Sequence, residues 1–414
     1  MKRLVILGAG TAGTMIANSL ARRLPEDWEM EVVDPCWTHT YQPGLLFVPF
    51  GKQDPSDLVK PMERVLPKRA VLTRAEVDRV EPESNQVVLE DGSVIVYDQL
   101  VIATGTRPRP EMTEGLTGPG WRDTVHEFYT LAGATALRDA LAKFEGGRLV
   151  VQVSAMPIKC PVAPLEFAFL ADDHFTKRHM RDLVDITFVT PLSGAFTKPI
   201  ASEKLGGMLD GRGIAVEPDF MVESVEDGAL VSYDERRVSF DLLVTVPVNM
   251  GAEFVGRSGL GDELDHVKVD PHTFLAVGHD NIFALGDAAA LPTSKAGSTA
   301  HFAVEVFVDN FADHIAGREL RHAFDGHANC FVESGDGKAL LIDFNYDTEP
   351  RPGVDPVPGL GPLELLAETR LNHWAKRAFE KVYWHMLLPG RPLPVPNAMS
   401  MAGKVRPSRE ESPV

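Results

Sequence analysis

Cysteine and long apolar runs are both scarce in this sequence. Only three of its 414 residues are cysteines, which excludes a small secreted scaffold held together by disulfides. No uninterrupted apolar run approaches the roughly 18–20 residues that a membrane-spanning helix needs. The basic N-terminal residues Lys2 and Arg3 are followed by a short apolar run and then by glycines, so we expect no cleavable signal peptide.

Basic residues are also scarce relative to acidic ones. The chain has 41 Lys and Arg against 59 Asp and Glu, and this formal net charge of −18 argues against a nucleic-acid partner. The exception is the segment 370–409, where eight basic residues and one acid, Glu380, sum to +7. An acidic body with a basic C-terminal segment suggests that this segment meets a partner of its own.

What is present is an alternation of strand and helix patterns. A short apolar run predicts a strand at 4–7, apolar residues at helical spacing predict a helix at 12–24, and a second strand follows at 30–33. Asp91-Gly92 predicts the turn of an antiparallel excursion over 78–98. Further strands are predicted at 94–103, 148–153, 185–190, 242–246 and 281–285, and helices at 131–144, 162–173 and 298–316. Proline and glycine concentrate at 350–362, which predicts a linker, and the whole pattern predicts an α/β fold.

A glycine-rich motif stands between the first strand and the first helix. Gly8-Ala9-Gly10-Thr11-Ala12-Gly13 fits G-x-G-x-x-G in the context that identifies a dinucleotide site. Gly8 permits the tight turn, Gly10 lets the backbone approach a pyrophosphate, and Gly13 lets the helix pack on the strand. Asp34 ends the second strand, where an acid can bond ribose hydroxyls. The motif alone does not decide between NAD and FAD.

Two later segments resemble flavoprotein motifs. Residues 101–108, with Ala103-Thr104-Gly105, look like the strand-end segment of flavoproteins with two dinucleotide-binding domains, and 281–288, with Gly286 and Asp287, resemble their C-terminal flavin motif. This resemblance implies FAD as the cofactor, with Asp287 on the ribityl chain. It also places a backbone contact to adenine at Val77. We predict no metal site.

The second glycine fingerprint of many such flavoproteins is missing. After the predicted strand 148–153, Met156, Pro157 and Lys159 put bulk where a pyrophosphate would need bare backbone. We therefore predict a second Rossmann-like domain without a functional NAD site. The predicted division is an FAD-binding domain from 1–107 and 250–320, the second domain at 108–249, and a C-terminal region at 321–414.

The remaining motifs resemble those of the sulfide:quinone oxidoreductases and the related flavocytochrome c sulfide dehydrogenase flavin subunits. They are Cys160 at the predicted start of a helix, Cys330, the loop Tyr41-Gln42-Pro43-Gly44, and Lys295-Ala296-Gly297. The resemblance implies that Cys160 and Cys330 form a redox pair, that sulfide and quinone are the substrates, and that Pro43 lies at the cofactor. A thiol at the start of a helix is expected to have a lowered pKa.

The mechanism implied by that resemblance begins with a Cys160–Cys330 disulfide. Hydrosulfide attacks one sulfur, a persulfide forms, and the other cysteine leaves as a thiolate that reduces the flavin. Glu166 is a candidate for managing protons near the sulfur, the alternative being a surface glutamate. Lys295 is a candidate for polarising the flavin or reaching the quinone, the alternative being a solvated lysine.

The sequence also departs from the family pattern. The segment 124–129, where many members have a third essential cysteine, has none, which puts covalent flavin attachment in doubt. His126 in that segment is either an acid/base group or an exposed loop histidine. Cys36 is expected to be a small buried apolar residue. Two other functions stay open, a type II NADH:quinone oxidoreductase and a non-enzymatic flavin redox sensor.

The C-terminal region predicts contact with a membrane surface. Between 363 and 388, apolar residues recur at helical spacing, with Asn372, Lys376 and Glu380 on the other side. A short amphipathic helix with aromatic and basic residues at its boundary is typical of an interfacial helix. We expect a peripheral protein of the cytoplasmic membrane and a possible homo-oligomer; the alternative for the helix is ordinary packing on the core.

Overall fold

The computed structural model describes residues 1–357, 361–393 and 395–406. The strands, in chain order, are β1 (Lys2–Leu7), β2 (Trp28–Val33), β3 (Thr38–Thr40), β4 (Val59–Pro61), β5 (Ala70–Thr73), β6 (Val77–Glu81), β7 (Gln86–Leu89), β8 (Val94–Val96), β9 (Gln99–Ile102), β10 (Arg107–Pro108), β11 (Val125–His126), β12 (Gly147–Val153), β13 (Val184–Val189), β14 (Ala215–Glu217), β15 (Val222–Glu226), β16 (Ala229–Ser232), β17 (Arg237–Ser239), β18 (Leu242–Val246), β19 (Asn249–Met250), β20 (Ile282–Ala284), β21 (Ala328–Gly335), β22 (Lys338–Phe344), β23 (Gly353–Val357) and β24 (Gly361–Leu365). The α-helices are α1 (Thr11–Leu20), α2 (Met62–Val65), α3 (Leu131–Lys143), α4 (Ala163–Lys177), α5 (Pro199–Asp210), α6 (Glu253–Arg257), α7 (Gly297–Ile315) and α8 (Arg370–Val382).

The first sheet is parallel and contains the predicted β-α-β unit. Its strand order is β20-β9-β1-β2-β5, so β1 lies in the centre, with Leu4 between Met30 on one side and Gln99 on the other. Leu4 to Leu7 are fully buried, as the apolar run predicted for a strand covered on both faces. The first helix ends at Leu20, earlier than predicted.

The second sheet repeats the parallel architecture. Its order is β11-β18-β12-β13-β14, with α3 and α4 in the crossovers around β12. Two Rossmann-like sheets therefore confirm the predicted α/β fold class. The helix α5 was missed by the sequence analysis, and the domain boundaries stay a prediction.

The antiparallel excursion has three strands, β6-β7-β8. Gly92, with φ of +83°, forms the predicted turn between β7 and β8, since the left-handed region favours glycine. An additional turn at Pro82–Ser84 divides the segment once more.

The predicted linker at 350–362 is wrong. Residues of this segment form a hairpin in which β23 pairs antiparallel with β24, from Gly353 opposite Leu365 to Val357 opposite Gly361. The strand β23 lies at the edge of the sheet β21-β22-β24-β23. Pro356 is tolerated there because an edge strand does not require an N–H from every residue. Residues 358–360 of that prediction lie outside the described residues.

The C-terminal helix is shorter than predicted and is oriented with its polar side inward. It begins after Thr369, whose side chain accepts from the Asn372 N–H, because 363–365 are already paired in β24. Asn372 is fully buried, whereas Leu371 is 43% exposed and Trp374 67% exposed. A π turn, Tyr383–Leu387, follows the helix. Arg409, part of the predicted basic segment, lies outside the described residues.

Candidate active site

A cavity of about 450 Å³ lies where the loops after several strands meet the C-terminal region. Its wall includes Gly10 to Ala12 after β1, Ala103 to Thr106 after β9, Cys160 after β12, and Gly286 and Asp287 after β20. The carboxyl ends of parallel strands are the usual place for ligands in open α/β sheets. One cavity thus brings together most of the predicted cofactor and redox residues, including Thr11, Pro43 and Lys295.

The glycine motif has the geometry of a dinucleotide loop. Gly8 has φ of +95°, and a Cβ on Gly13 would lie 1.9 Å from the Gly8 carbonyl oxygen, so neither position accepts a side chain. A Cβ on Gly10 would meet nothing within 4 Å, so the backbone is open to a ligand at the N-terminus of α1. The loop therefore fits a pyrophosphate.

The predicted adenosine contacts lie outside the cavity wall. The Asp34 carboxylate is buried and accepts from the backbone N–H groups of Ala9, at 2.7 Å, and Cys36, at 2.8 Å. It therefore braces the glycine loop. Val77 begins β6 and pairs with Leu89. The ribose and adenine contacts of these two residues stay predictions.

The two flavin-type segments contribute polar residues to the cavity wall. The hydroxyls of Thr104 and Thr106 are buried without a hydrogen-bond partner among the described residues. Gly105, with φ of +68°, leaves open space in front of its backbone. Burial raises the pKa of the Asp287 carboxyl, and the Lys295 and Lys159 ammonium groups oppose that rise. The donor and acceptor set fits a polar dinucleotide such as FAD.

Lys295 is buried, so the solvated-lysine alternative is wrong. Its ammonium donates to the carbonyl oxygens of Asp287, at 2.7 Å, and Ala289, at 3.0 Å. Burial lowers its pKa, while the Asp287 carboxylate raises it. It therefore places a positive charge under the flavin-type motif, and any contact with flavin or quinone stays a prediction.

Cys160 and Cys330 both line the cavity. Cys160 lies in the loop before α4 with φ of +50°, an unusual conformation for a residue with a side chain. The Cys160 N–H donates to the Lys295 carbonyl at 2.7 Å, and the Cys160 carbonyl accepts from the Tyr129 hydroxyl at 3.3 Å. Cys330 lies within β21 and is buried. Both are free thiols in the structure.

The predicted lowering of the Cys160 pKa is wrong. Burial raises the pKa of this thiol to about 12, and the Glu166 carboxylate adds to the rise, while Lys376 opposes it. Burial raises the pKa of Cys330 as well. The helix α4 begins only at Ala163, so Cys160 lies before the helical turn whose N–H groups would stabilise a thiolate.

Glu166 lies on the cavity wall and is buried, so the surface alternative is wrong here too. Its carboxylate accepts from the Glu333 N–H at 2.6 Å and is in contact with the Lys376 ammonium, which also donates to the Phe331 carbonyl at 3.1 Å. Burial raises the pKa of Glu166, and Lys376 lowers it. A carboxyl group beside two thiols is therefore paired with a lysine from α8.

Comparisons with known proteins agree with this geometry. The model of the pyridine nucleotide-disulphide oxidoreductase family matches residues 2–305. The chain belongs to that family. It is accordingly a flavin-dependent oxidoreductase.

The relatives of this family member include sulfide:quinone oxidoreductases. The mitochondrial enzyme of Dictyostelium discoideum is 28% identical over 399 residues, covering 94% of this chain and 86% of that protein. The sulfide-quinone reductase of Aquifex aeolicus is 23% identical over 408 residues, covering 92% and 90%. The crystal structure of the Aquifex aeolicus sulfide:quinone oxidoreductase superposes with a TM-score of 0.80 at 20% identity, covering 94% of this chain and 92% of that one.

Unlike the glycine loop after β1, the loop after β12 of this oxidoreductase is filled with side chains. Met156 is packed against the main core, and the Lys159 ammonium donates to the Gln42 side-chain oxygen at 3.0 Å, inside the cavity region. The loop 154–162 contains no glycine that would let a pyrophosphate approach the backbone. The predicted lack of an NAD site stays a prediction with this physical basis.

Two other candidates lie away from the cavity. His126 is buried in β11, with its Nε2 2.9 Å from the Asp123 carbonyl oxygen, so the exposed-loop interpretation is wrong, and it does not line the cavity. Cys36 is exposed, not a small buried apolar residue. No group of His, Cys, Asp or Glu among the described residues could hold a metal ion.

Three polar residues on the cavity wall, Lys159, Lys376 and Tyr383, are not among the predicted site residues. From sequence, Lys159 is interpreted only as bulk and Lys376 only as part of the polar side of a helix, and Tyr383 carries no predicted role. A buried lysine with nearby acids leaves no signal in a single sequence. Lys376 nevertheless recurs one turn after Asn372, and both were predicted correctly to share a face.

Proposed function

We propose that this protein oxidises sulfide and passes the electrons to a quinone, using FAD and a Cys160–Cys330 redox pair. The observation that supports this best is the cavity itself. Two cysteines 170 residues apart in sequence line the same space as the glycine loop and the flavin-type motif. The similarity to sulfide:quinone oxidoreductases over nine-tenths of the chain supports the same substrates.

In the proposed sulfur chemistry, hydrosulfide attacks one sulfur of an oxidised Cys160–Cys330 pair. A new S–S bond forms to the attacked cysteine as a persulfide, and the old S–S bond breaks to release the other cysteine as a thiolate. The thiolate then bonds to the outer sulfur of the persulfide, which closes a Cys–S–S–S–Cys bridge and releases one proton and an electron pair. A flavin held by the glycine loop and the Asp287 segment would supply the acceptor for that pair, with quinone as the final acceptor. Lys376 stabilises negative charge on sulfur, and Glu166 takes the proton that leaves the hydrosulfide.

The quinone site is proposed in the apolar part of the same cavity. Phe331, Leu341 and Leu363 from the C-terminal sheet form a small apolar cluster with Ala375 from α8, and Phe379 lines the cavity one turn further. Burial of an apolar ring and tail against such a surface is favourable, at about 25 cal/mol per Å² of apolar surface. The helix α8 therefore forms one wall of the proposed site.

The outer face of α8 is proposed to lie on the membrane. Leu371, Trp374 and Ala378 are exposed on one side of the helix, and Lys381 follows on that side. Trp and Lys at the edge of an apolar face are typical of interfacial helices. Among the described residues, no helix is long and apolar enough to cross a membrane, so we propose peripheral binding, with the cytoplasmic membrane as its place.

Flavin reduction distinguishes the proposed function from its two alternatives. Sulfide added anaerobically to the purified holoenzyme is expected to bleach the flavin absorbance near 450 nm within seconds, whereas NADH leaves it unchanged, because the loop after β12 is filled. A quinone with a decyl tail should then reoxidise the flavin and restore the absorbance. Rapid bleaching by NADH would favour a type II NADH:quinone oxidoreductase, and bleaching by neither would favour a redox sensor.

Charged substitutions on the exposed face test membrane binding. We expect Leu371→Glu with Trp374→Glu to release the protein from anionic liposomes in a sedimentation assay, while sulfide still bleaches the flavin, because neither residue lines the cavity. The matched control is Tyr233→Glu. Tyr233 directly follows β16 and is as exposed as Trp374, so this variant should bind the liposomes as the wild type does. Unchanged liposome binding by the double variant would remove α8 as the anchor. Truncation after Gly361 is less informative, since it also removes the cavity wall and Lys376.

A further inference from the structure

A buried chain of hydrogen bonds joins the glycine loop to the residues that follow α8. The Tyr383 hydroxyl lies 2.8 Å from the Thr11 hydroxyl and 2.7 Å from His39 Nε2. The other ring nitrogen of His39 lies 3.0 Å from the Ala9 carbonyl oxygen. Tyr383 and His39 are both buried. The two ends of the chain, Ala9 and Thr11, are both members of the glycine motif.

The direction of each bond follows from the groups involved. The Ala9 carbonyl can only accept, so His39 Nδ1 donates to it. A neutral imidazole then has Nε2 as an acceptor, and burial, which lowers the His39 pKa, favours the neutral form. The Tyr383 hydroxyl therefore donates to Nε2, and its oxygen accepts from the Thr11 hydroxyl.

The consequence for Thr11 is a fixed orientation. Its hydroxyl hydrogen is directed at Tyr383, so this hydroxyl is not free to donate to a phosphate. Its backbone N–H, at the first position of α1 beside the open Gly10, has no partner inside the helix. That N–H is thus held ready for a pyrophosphate oxygen.

We propose that Tyr383 is a positioning residue for the FAD glycine loop, coupling the docking of α8 to retention of the cofactor. The proposal depends on FAD occupying that loop, as proposed above. Tyr383 directly continues the helix whose outer face is proposed to bind the membrane and whose inner face carries Lys376. Because coupling between two binding events is reciprocal, bound FAD should also hold the end of α8 in place.

The test measures release of FAD from the holoenzyme, followed by the fluorescence of free FAD after dilution. Tyr383→Phe removes one oxygen atom and keeps the ring. It should release FAD about five- to tenfold faster, the change in rate that corresponds to the net free energy of one buried hydrogen bond. Thr11→Val should act similarly. The double variant should release FAD no faster than the quicker single variant, because both substitutions remove the same bond.

The control is Tyr346→Phe. This hydroxyl donates one hydrogen bond, to the Pro271 carbonyl at 3.0 Å, and the residue does not line the cavity. It should lower the unfolding temperature without changing FAD release. If Tyr383 served only general stability, it would behave like Tyr346, and its effect would add to that of Thr11→Val.

Hydrogen exchange gives a second readout. In the holoenzyme, the amides of 383–388 should exchange faster in Tyr383→Phe and in Thr11→Val, although Thr11 lies more than 370 residues away in sequence. Additive effects on FAD release would overturn the proposal. Unchanged release and exchange in Thr11→Val would overturn it as well, and this variant can be measured even if Tyr383→Phe fails to fold. A wild-type protein that holds no flavin would instead overturn the proposed function.

Discussion

Replacing either Cys160 or Cys330 by serine is expected to reduce sulfide-dependent quinone reduction by at least about 1000-fold, the scale of losing a catalytic nucleophile. Serine forms no disulfide, so hydrosulfide has no S–S bond to attack. Because the two thiols act as a unit, the double variant should be no less active than either single variant. Initial rates of quinone reduction with saturating sulfide measure this effect.

The cofactor provides the internal check for these variants. Neither cysteine belongs to the glycine loop or the flavin-type motif, so the purified variants should keep their flavin absorbance. Cys36→Ser is the matched control, since Cys36 is exposed and does not line the cavity. Turnover near the wild-type rate in either Cys160→Ser or Cys330→Ser would rule out the redox pair.

The part of the fold that depends on local pattern was predictable from sequence. The apolar run of β1, the glycines of the following loop and the helix α1 each have a local physical signature, and they were placed within a few residues. The same is true of β18, predicted with its observed bounds of Leu242–Val246. These elements share short-range rules of burial and turn geometry.

The C-terminal region was not predictable in the same way, because its structure depends on distant partners. Proline and glycine at 350–362 signalled a linker, yet pairing across a hairpin overrides that composition. The periodicity of α8 showed two faces but not which one meets the protein. The contact between Lys376 and Glu166 shows that the polar face is the inner one. No local pattern could reveal this contact, because the two residues lie 210 positions apart in sequence. Likewise, the raised pKa of Cys160 follows from tertiary burial, not from its place before a helix.

The Glu166–Lys376 pair allows the second prediction of large effect. Both side chains are largely buried, so removing one partner leaves an unpaired charge at a cost of about 3–5 kcal/mol. Glu166→Gln and Lys376→Met should each lower the free energy of unfolding by that order, measured by denaturant titration of the holoenzyme. The double variant should recover most of the loss, because no charge is then left unpaired.

The same two variants should change the pH profile of flavin reduction in different ways. The Lys376 ammonium lowers the pKa of Glu166, so in Lys376→Met this carboxyl becomes a proton acceptor only at higher pH, and the acid limb of the profile moves to alkaline pH. In Glu166→Gln the titrating carboxyl is absent, so its limb should disappear and the maximal rate should fall.

Lys376→Arg keeps the positive charge and should keep the wild-type profile. Stopped-flow rates of sulfide-driven bleaching between about pH 5 and 9, the range that a buried carboxyl with a raised pKa can reach, measure these changes. An acid limb that does not move in Lys376→Met would mean that the pair does not control proton transfer at the site.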